Sequence, residues 1–107
     1  MALVIETGAI VAGADSFATV AEFATYATNY GRTVTDDTDA VEALLRRAAL
    51  QMGDMPWKGY TANRDQSLCW PRYDVVANGW EIPSNMIPPR IKAGQLAIAC
   101  ELYADDQ

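Results

Sequence analysis

Asp39-Ala40-Val41-Glu42-Ala43-Leu44-Leu45-Arg46-Arg47-Ala48-Ala49-Leu50-Gln51-Met52-Gly53-Asp54-Met55 is the stretch whose period decides the fold. Val41, Leu44, Leu45, Ala48, Ala49, Met52 and Met55 recur at i, i+3, i+4, i+7 and i+8, the repeat of a helix that buries one face. Asp39 followed three residues later by Glu42 resembles an N-terminal cap, with acids in the first turn and Arg46 and Arg47 further along, as the helix dipole prefers. Pro56 stops this helix, because proline has no N–H to continue the ladder.

Working upstream, Arg32 to Thr38 is a polar, acidic connector. Before it, Thr19-Val20-Ala21-Glu22 forms a capping box, in which the threonine hydroxyl and the glutamate each satisfy a first-turn amide. Val20, Phe23, Ala24, Ala27 and Tyr30 then recur at helical spacing, and Gly31 supplies a left-handed stop, so a helix is expected from Val20 to Tyr30. Residues 1–15 have short β-prone runs, two glycines and no helical period. They read as an extended arm or hairpin, too apolar to stay in water, lying on its own domain or on a neighbour.

Downstream, the period disappears from Trp57 to Asn85, where three tryptophans, two tyrosines and prolines gather. A loop this long is uncommon in a compact domain unless it is functional or packs on itself. Trp57, Tyr60, Trp70, Tyr73 and Trp80 are the expected anchors, each a large apolar surface with a polar handle. Pro88-Pro89 then opens a third helix. Ala93, Leu96, Ala97, Cys100 and Tyr103 form one apolar stripe on it, and Ile91, Ile98 and Leu102 form a second. A helix apolar on two sides needs two partners, one of which could be another subunit. The expected fold class is mainly α: a small helical domain of about three main helices over 16–107, an extended N-terminal arm over 1–15, and a long aromatic and proline-rich ordered loop.

The composition bounds function. A chain of 107 residues, 50% hydrophobic and 21% charged, suits one folded domain. No apolar run reaches the roughly 20 residues needed to span a bilayer, so no membrane partner is expected. The net charge of −6 opposes broad nucleic-acid binding, which draws on cationic neutralisation of phosphates. The charge is uneven: residues 1–42 hold seven acids and one base, residues 43–95 seven bases and four acids, and residues 96–107 three acids. Cys69 and Cys100 have no CxxC or Cys/His spacing and read as free buried thiols.

Catalysis finds no constellation. Histidine is absent, which removes the commonest general base and the usual nucleophile triads. Asp36, Asp37 and Asp39 sit where a connector meets a helix start and lack the calcium-loop glycine and glutamate, so they read as solvated capping acids. The glycines form no phosphate loop. No enzyme activity, cofactor or metal is expected. Two arrays, Trp57-Lys58-Gly59-Tyr60 and Trp70-Pro71-Arg72-Tyr73, contain the ingredients of a single-strand stacking platform. The acidic total favours the other reading, in which their aromatics anchor the loop while the bases snorkel or pair with Asp54, Asp65 and Asp74. In Gln66-Ser67-Leu68-Cys69-Trp70-Pro71-Arg72 the proline stiffens the chain and the arginine offers a fixed fork of donors, suited to holding a loop rigid or anchoring a neighbouring subunit. The interface or loop-anchor candidates are therefore Trp57, Tyr60, Gln66, Trp70, Arg72, Ile91, Ile98 and Leu102.

The order ALVIETG, ADSFATVAEFATYATNYG, ALLRRAALQM, WKGY, QSLCWPR and IPPRIKAGQLAIACEL resembles small tailed-bacteriophage head–tail connector proteins, also called adaptor or head-completion proteins, whose relatives are often labelled DnaT-like single-stranded DNA-binding proteins. The resemblance runs from Ala2 to about Leu102. Gln51-Met52-Gly53-Asp54 is a softer match, and many relatives are expected to continue beyond the position of Gln107. The resemblance implies a structural virion protein at the head–tail neck: a subunit of a homo-oligomeric ring, typically a dodecamer, joining the portal to the tail or another neck protein and lining the channel through which double-stranded DNA passes without specific binding. The alternative is a single-stranded DNA-binding module.

Overall fold

A computed structural model describes residues 2–105 apart from Lys58, Asp65 and Asn78. Three helices carry the fold: α1 (Val20–Asn29), α2 (Thr38–Gly53) and α3 (Pro89–Asp105). Between α2 and α3 lie four two-residue strands, β1 (Tyr60–Thr61), β2 (Arg72–Tyr73), β3 (Val76–Ala77) and β4 (Trp80–Glu81). They form two antiparallel hairpins, β1 with β2 and β3 with β4. The mainly helical expectation holds, and the segment after α2 is more ordered than a plain loop.

The capping box of α1 forms as expected: the Glu22 amide donates to the Thr19 hydroxyl and the Glu22 carboxylate accepts from the Thr19 amide. Burial raises the Glu22 carboxyl, but the Thr19 amide and the Lys92 ammonium together outweigh it and hold the group below its ordinary value. The helix ends at Asn29, one residue short of the expected Tyr30. Gly31 takes φ +66° and the Arg32 amide reaches back to the Ala27 carbonyl, which closes the last turn. Phe23 and Ala27 are buried, whereas Ala24 and Tyr30, expected on the same stripe, face solvent.

The cap of α2 is Asp37, whose side chain accepts from the Asp39 amide, two residues before the expected Asp39 cap. Val41, Leu44, Leu45, Ala48, Ala49 and Met52 are buried as their period demands. Met55 departs from the expectation and is exposed: the helix stops at Gly53, so Met55 no longer follows the helical period.

Two apolar clusters hold the helices together. One joins Phe23 of α1, Leu44, Leu45 and Ala48 of α2, and Leu96 and Cys100 of α3. The other gathers Phe17, Met52, Trp70, Val75 and Ile91, and Ile98 packs against both. Ile91 and Ile98 of the second stripe thus meet the segment that precedes this helix in its own chain. Leu102 packs against the first cluster.

One polar side chain ties α2 and α3 to the residues just before α1. Gln95 of α3 has no exposed surface; its Oε1 accepts from the Phe17 and Ala18 amides, and its Nε2 donates to the Ser16 hydroxyl and the Leu45 carbonyl.

The arm lies on its own domain. The Glu6 amide donates to the Ser16 carbonyl and the Asp15 amide to the Val4 carbonyl, so the chain leaves and returns at one point. Inside the loop thus closed, the fully buried Glu6 carboxylate accepts three amides, from Gly8, Ile10 and Val11, each at 3.0 Å. This cradle holds Ile10 at φ +60°, a conformation that a β-branched residue keeps only when its surroundings impose it. Arg46 of α2 clasps the arm from outside through Asp15 Oδ2, at 2.7 Å, and the Ala2 carbonyl.

Candidate functional site

The segment from Trp57 to Tyr73 divides its aromatic residues into two groups with opposite roles. Trp57 is half-buried; its indole N–H donates to the Met52 carbonyl at the end of α2, and its ring meets Trp70 edge-on at 5.8 Å between centroids. Trp70 is buried in the second cluster, and the bond from Trp70 to Pro71 is cis. These two rings fasten the segment to the helices.

Gln66 and Arg72 complete the fastening with backbone partners. The Gln66 Oε1 accepts from the Asn63 amide while its Nε2 donates to the Leu68 and Pro71 carbonyls, which bends 63–71 into a closed loop. The Arg72 guanidinium donates to the Cys69 carbonyl at 3.1 Å and the Gly59 carbonyl at 3.0 Å. Its fork is turned into its own loop. The expected pairing of bases with carboxylates involves Lys58 and Asp65, which lie outside the described residues. Burial pushes the Cys69 and Cys100 thiols up, so both remain protonated and unreactive near neutral pH.

The other group faces outward. Tyr60 and Tyr73 are cross-strand partners in the first hairpin, 62% and 45% exposed, with ring centroids 5.5 Å apart and planes tilted by 34°. Trp80 opens β4 of the second hairpin, opposite Ala77, and is 78% exposed; Val76, opposite Glu81, is also exposed. Tyr60, expected as an anchor, instead offers its ring to solvent, as do Tyr73 and Trp80.

Gly59 is required for this arrangement. It takes φ +74°, and a Cβ there would overlap the Tyr73 carbonyl oxygen. Gly59→Ala is therefore expected to separate β1 from β2 and to cost roughly 1–3 kcal/mol, read by thermal denaturation together with the near-ultraviolet dichroism of the paired tyrosines. A signal and a melting point equal to those of the parent protein would show that the hairpin tolerates the change.

Several cations of the described residues are engaged within the chain. Arg46 pairs with Asp15, Lys92 with Glu22 and Arg32 with Glu101. Arg72 is held by carbonyls, and Arg47 and Arg64 also have interactions of their own. Asp74 and Glu81, which directly follow Tyr73 and Trp80, are exposed carboxylates. Among the described residues no group of three or more His, Cys, Asp or Glu side chains is placed to hold a metal ion, and no helix is long and apolar enough to cross a membrane.

These features define a small three-helix protein that displays aromatic rings on two short hairpins. Across residues 1–107 the chain matches the family described as "Putative DnaT-like ssDNA binding protein", and it belongs to that family. No curated protein and no solved structure matches it.

Proposed function

We propose that this chain binds single-stranded DNA by stacking unpaired bases on the Tyr60 and Tyr73 rings and on Trp80. The observation that carries the reading is the outward display of three large rings on hairpins whose flanking residues Trp70, Val75 and Ile82 pack in the second apolar cluster. Every base has a π-face, so such a platform accepts single strands with little regard to sequence, whereas stacked duplex bases are not available to it. The family supports the same reading.

Titration of the tryptophan fluorescence with a short oligothymidine tests it. Trp80→Ala and Tyr73→Ala are each expected to weaken binding by about 1–3 kcal/mol, with the fold retained because both side chains lie outside the core clusters. Absence of saturable binding by the parent protein, or binding that neither substitution weakens, would sink the proposal. Trp57 and Trp70, whose rings fasten the segment, are not the stacking residues in this reading.

A second reading is favoured by the internal pairing of the cations and by the chain's net charge of −6. In it the protein is a virion subunit of a head–tail connector ring, a homo-oligomer of the dodecameric kind, set between the portal and the tail; its net negative charge lets passing double-stranded DNA slide instead of holding it. The exposed Leu50, Tyr60 and Trp80 would then be covered by neighbouring subunits or neck proteins. Electron microscopy of intact particles discriminates the two, since a protein absent from virions and strictly monomeric has no place in a ring. Neither reading assigns the chain a catalytic step, a cofactor or a membrane.

A further inference from the structure

We infer that Tyr60 and Tyr73 form a site of oxidative cross-linking, at which a one-electron oxidant joins their rings as dityrosine and staples β1 to β2. The rings are those assigned to base stacking, but their coupling requires no nucleic acid and goes beyond that reading.

Tyr60 and Tyr73 oppose each other in the ladder, where cross-strand side chains lie close enough to interact. Their ring centroids are 5.5 Å apart with planes tilted by 34°. Tyr60 is 62% exposed and Tyr73 45%, so an oxidant reaches both phenols and the rings have room to turn edge to edge. The strands are kept opposed from within the segment: Arg72 donates to the Cys69 and Gly59 carbonyls, and Gln66 donates to the Leu68 and Pro71 carbonyls. A radical on one ring thus has its partner beside it, at an effective concentration that no second molecule matches in dilute solution.

The oxidant is hydrogen peroxide acting through a haem peroxidase. Each phenol gives up one electron and one proton and becomes a phenoxyl radical, and the peroxide takes both electrons and both protons to leave as two waters. The radicals then form one carbon–carbon bond between ring positions ortho to the oxygens. The hydrogens on those two carbons move to the oxygens, which restores both aromatic rings. Cys69 and Cys100 are free thiols, so this bond ties the chain to itself where no disulfide does.

Trypsin cuts after Lys58, Arg64, Arg72 and Arg90, so Tyr60 and Tyr73 leave on separate peptides, 59–64 and 73–90, unless they are joined. Dilute native protein treated with a haem peroxidase and hydrogen peroxide is expected to gain dityrosine fluorescence and to yield these two peptides joined, with the loss of two hydrogens, by mass spectrometry. The yield per molecule is expected to stay unchanged on about tenfold dilution, as an intramolecular step requires. Tyr60→Phe and Tyr73→Phe each keep a ring in the ladder but remove one phenol; each is expected to melt as the parent does and to lose this product. Tyr26 and Tyr30 of α1 also touch, at 4.6 Å between centroids, but Tyr26 is half-buried, and a bond between them stays inside peptide 1–32 and is told apart by its mass. Tyrosine consumed with 59–64 and 73–90 left unjoined, coupling confined to 1–32, or a yield that falls in proportion to dilution overturns the inference.

Discussion

Gln95→Leu is expected to lower the unfolding free energy by about 2–4 kcal/mol, although leucine matches glutamine closely in volume and α3 tolerates it well. The loss comes from what the amide satisfies. With it gone, the buried Phe17 amide loses its acceptor, and the Ser16 hydroxyl loses a donor. The Ala18 amide keeps a weaker partner in Ser16 Oγ at 3.2 Å, and the Leu45 carbonyl keeps its bond within α2, so the penalty concentrates at Phe17. Denaturant unfolding followed by far-ultraviolet dichroism measures it, and a loss below about 1 kcal/mol would show that the arm finds other partners. Gln95→Glu sharpens the result. An ionised carboxylate keeps both amides but cannot donate to Ser16 Oγ or Leu45, and its burial pushes the introduced carboxyl above its unfolded value. A raised group favours the folded state below its unfolded pKa and loses that advantage as pH climbs through its folded pKa. This variant should therefore be closest to the parent in acid and fall behind toward neutrality.

The second large effect is a pure packing loss. Leu45 has no exposed surface and sits where α1, α2 and α3 meet. Leu45→Ala is expected to cost about 2–5 kcal/mol, the sum of lost apolar transfer and the cavity left behind. In a domain of this size the thermal midpoint falls about 4–8 °C for each kcal/mol, so the variant should melt well below the parent in calorimetry. A shift of only a degree or two would mean that Phe23 and Leu96 close over the gap.

What could be read ahead of the structure was local. The capping box at Thr19 and Glu22, the period through Val41 to Met52 and the start of α3 at the double proline depend on residues within a turn or two of one another. They took the expected form to within a few residues. The misplaced ends, at Tyr30 and Met55, lie where a helix unwinds and a side chain can leave its stripe without breaking the pattern in the text.

The hairpins were less legible, because strands of two residues carry no alternation and β1 and β2 are ten residues apart in the chain. A signal for the second one was present: Asn78-Gly79 between Val75-Val76-Ala77 and Trp80-Glu81-Ile82 is the dipeptide that two-residue hairpin turns favour. Gln95 and Glu6 were hidden for a different reason. A glutamine among apolar neighbours and a glutamate near the start of a chain both look like surface residues, and only long-range folding reveals the amides that each one satisfies.

The closed arm has a practical use. Because Ile5 and Ser16 are bridged, the residues between them begin and end at one place, and the exposed Ala12 and Gly13 lie in that span. A short epitope or a fluorophore-binding tag inserted between Ala12 and Gly13 lengthens a loop whose ends are already held, at about 0.6 kcal/mol for each doubling. That makes the arm a site for labelling the protein in particles or on oligonucleotides.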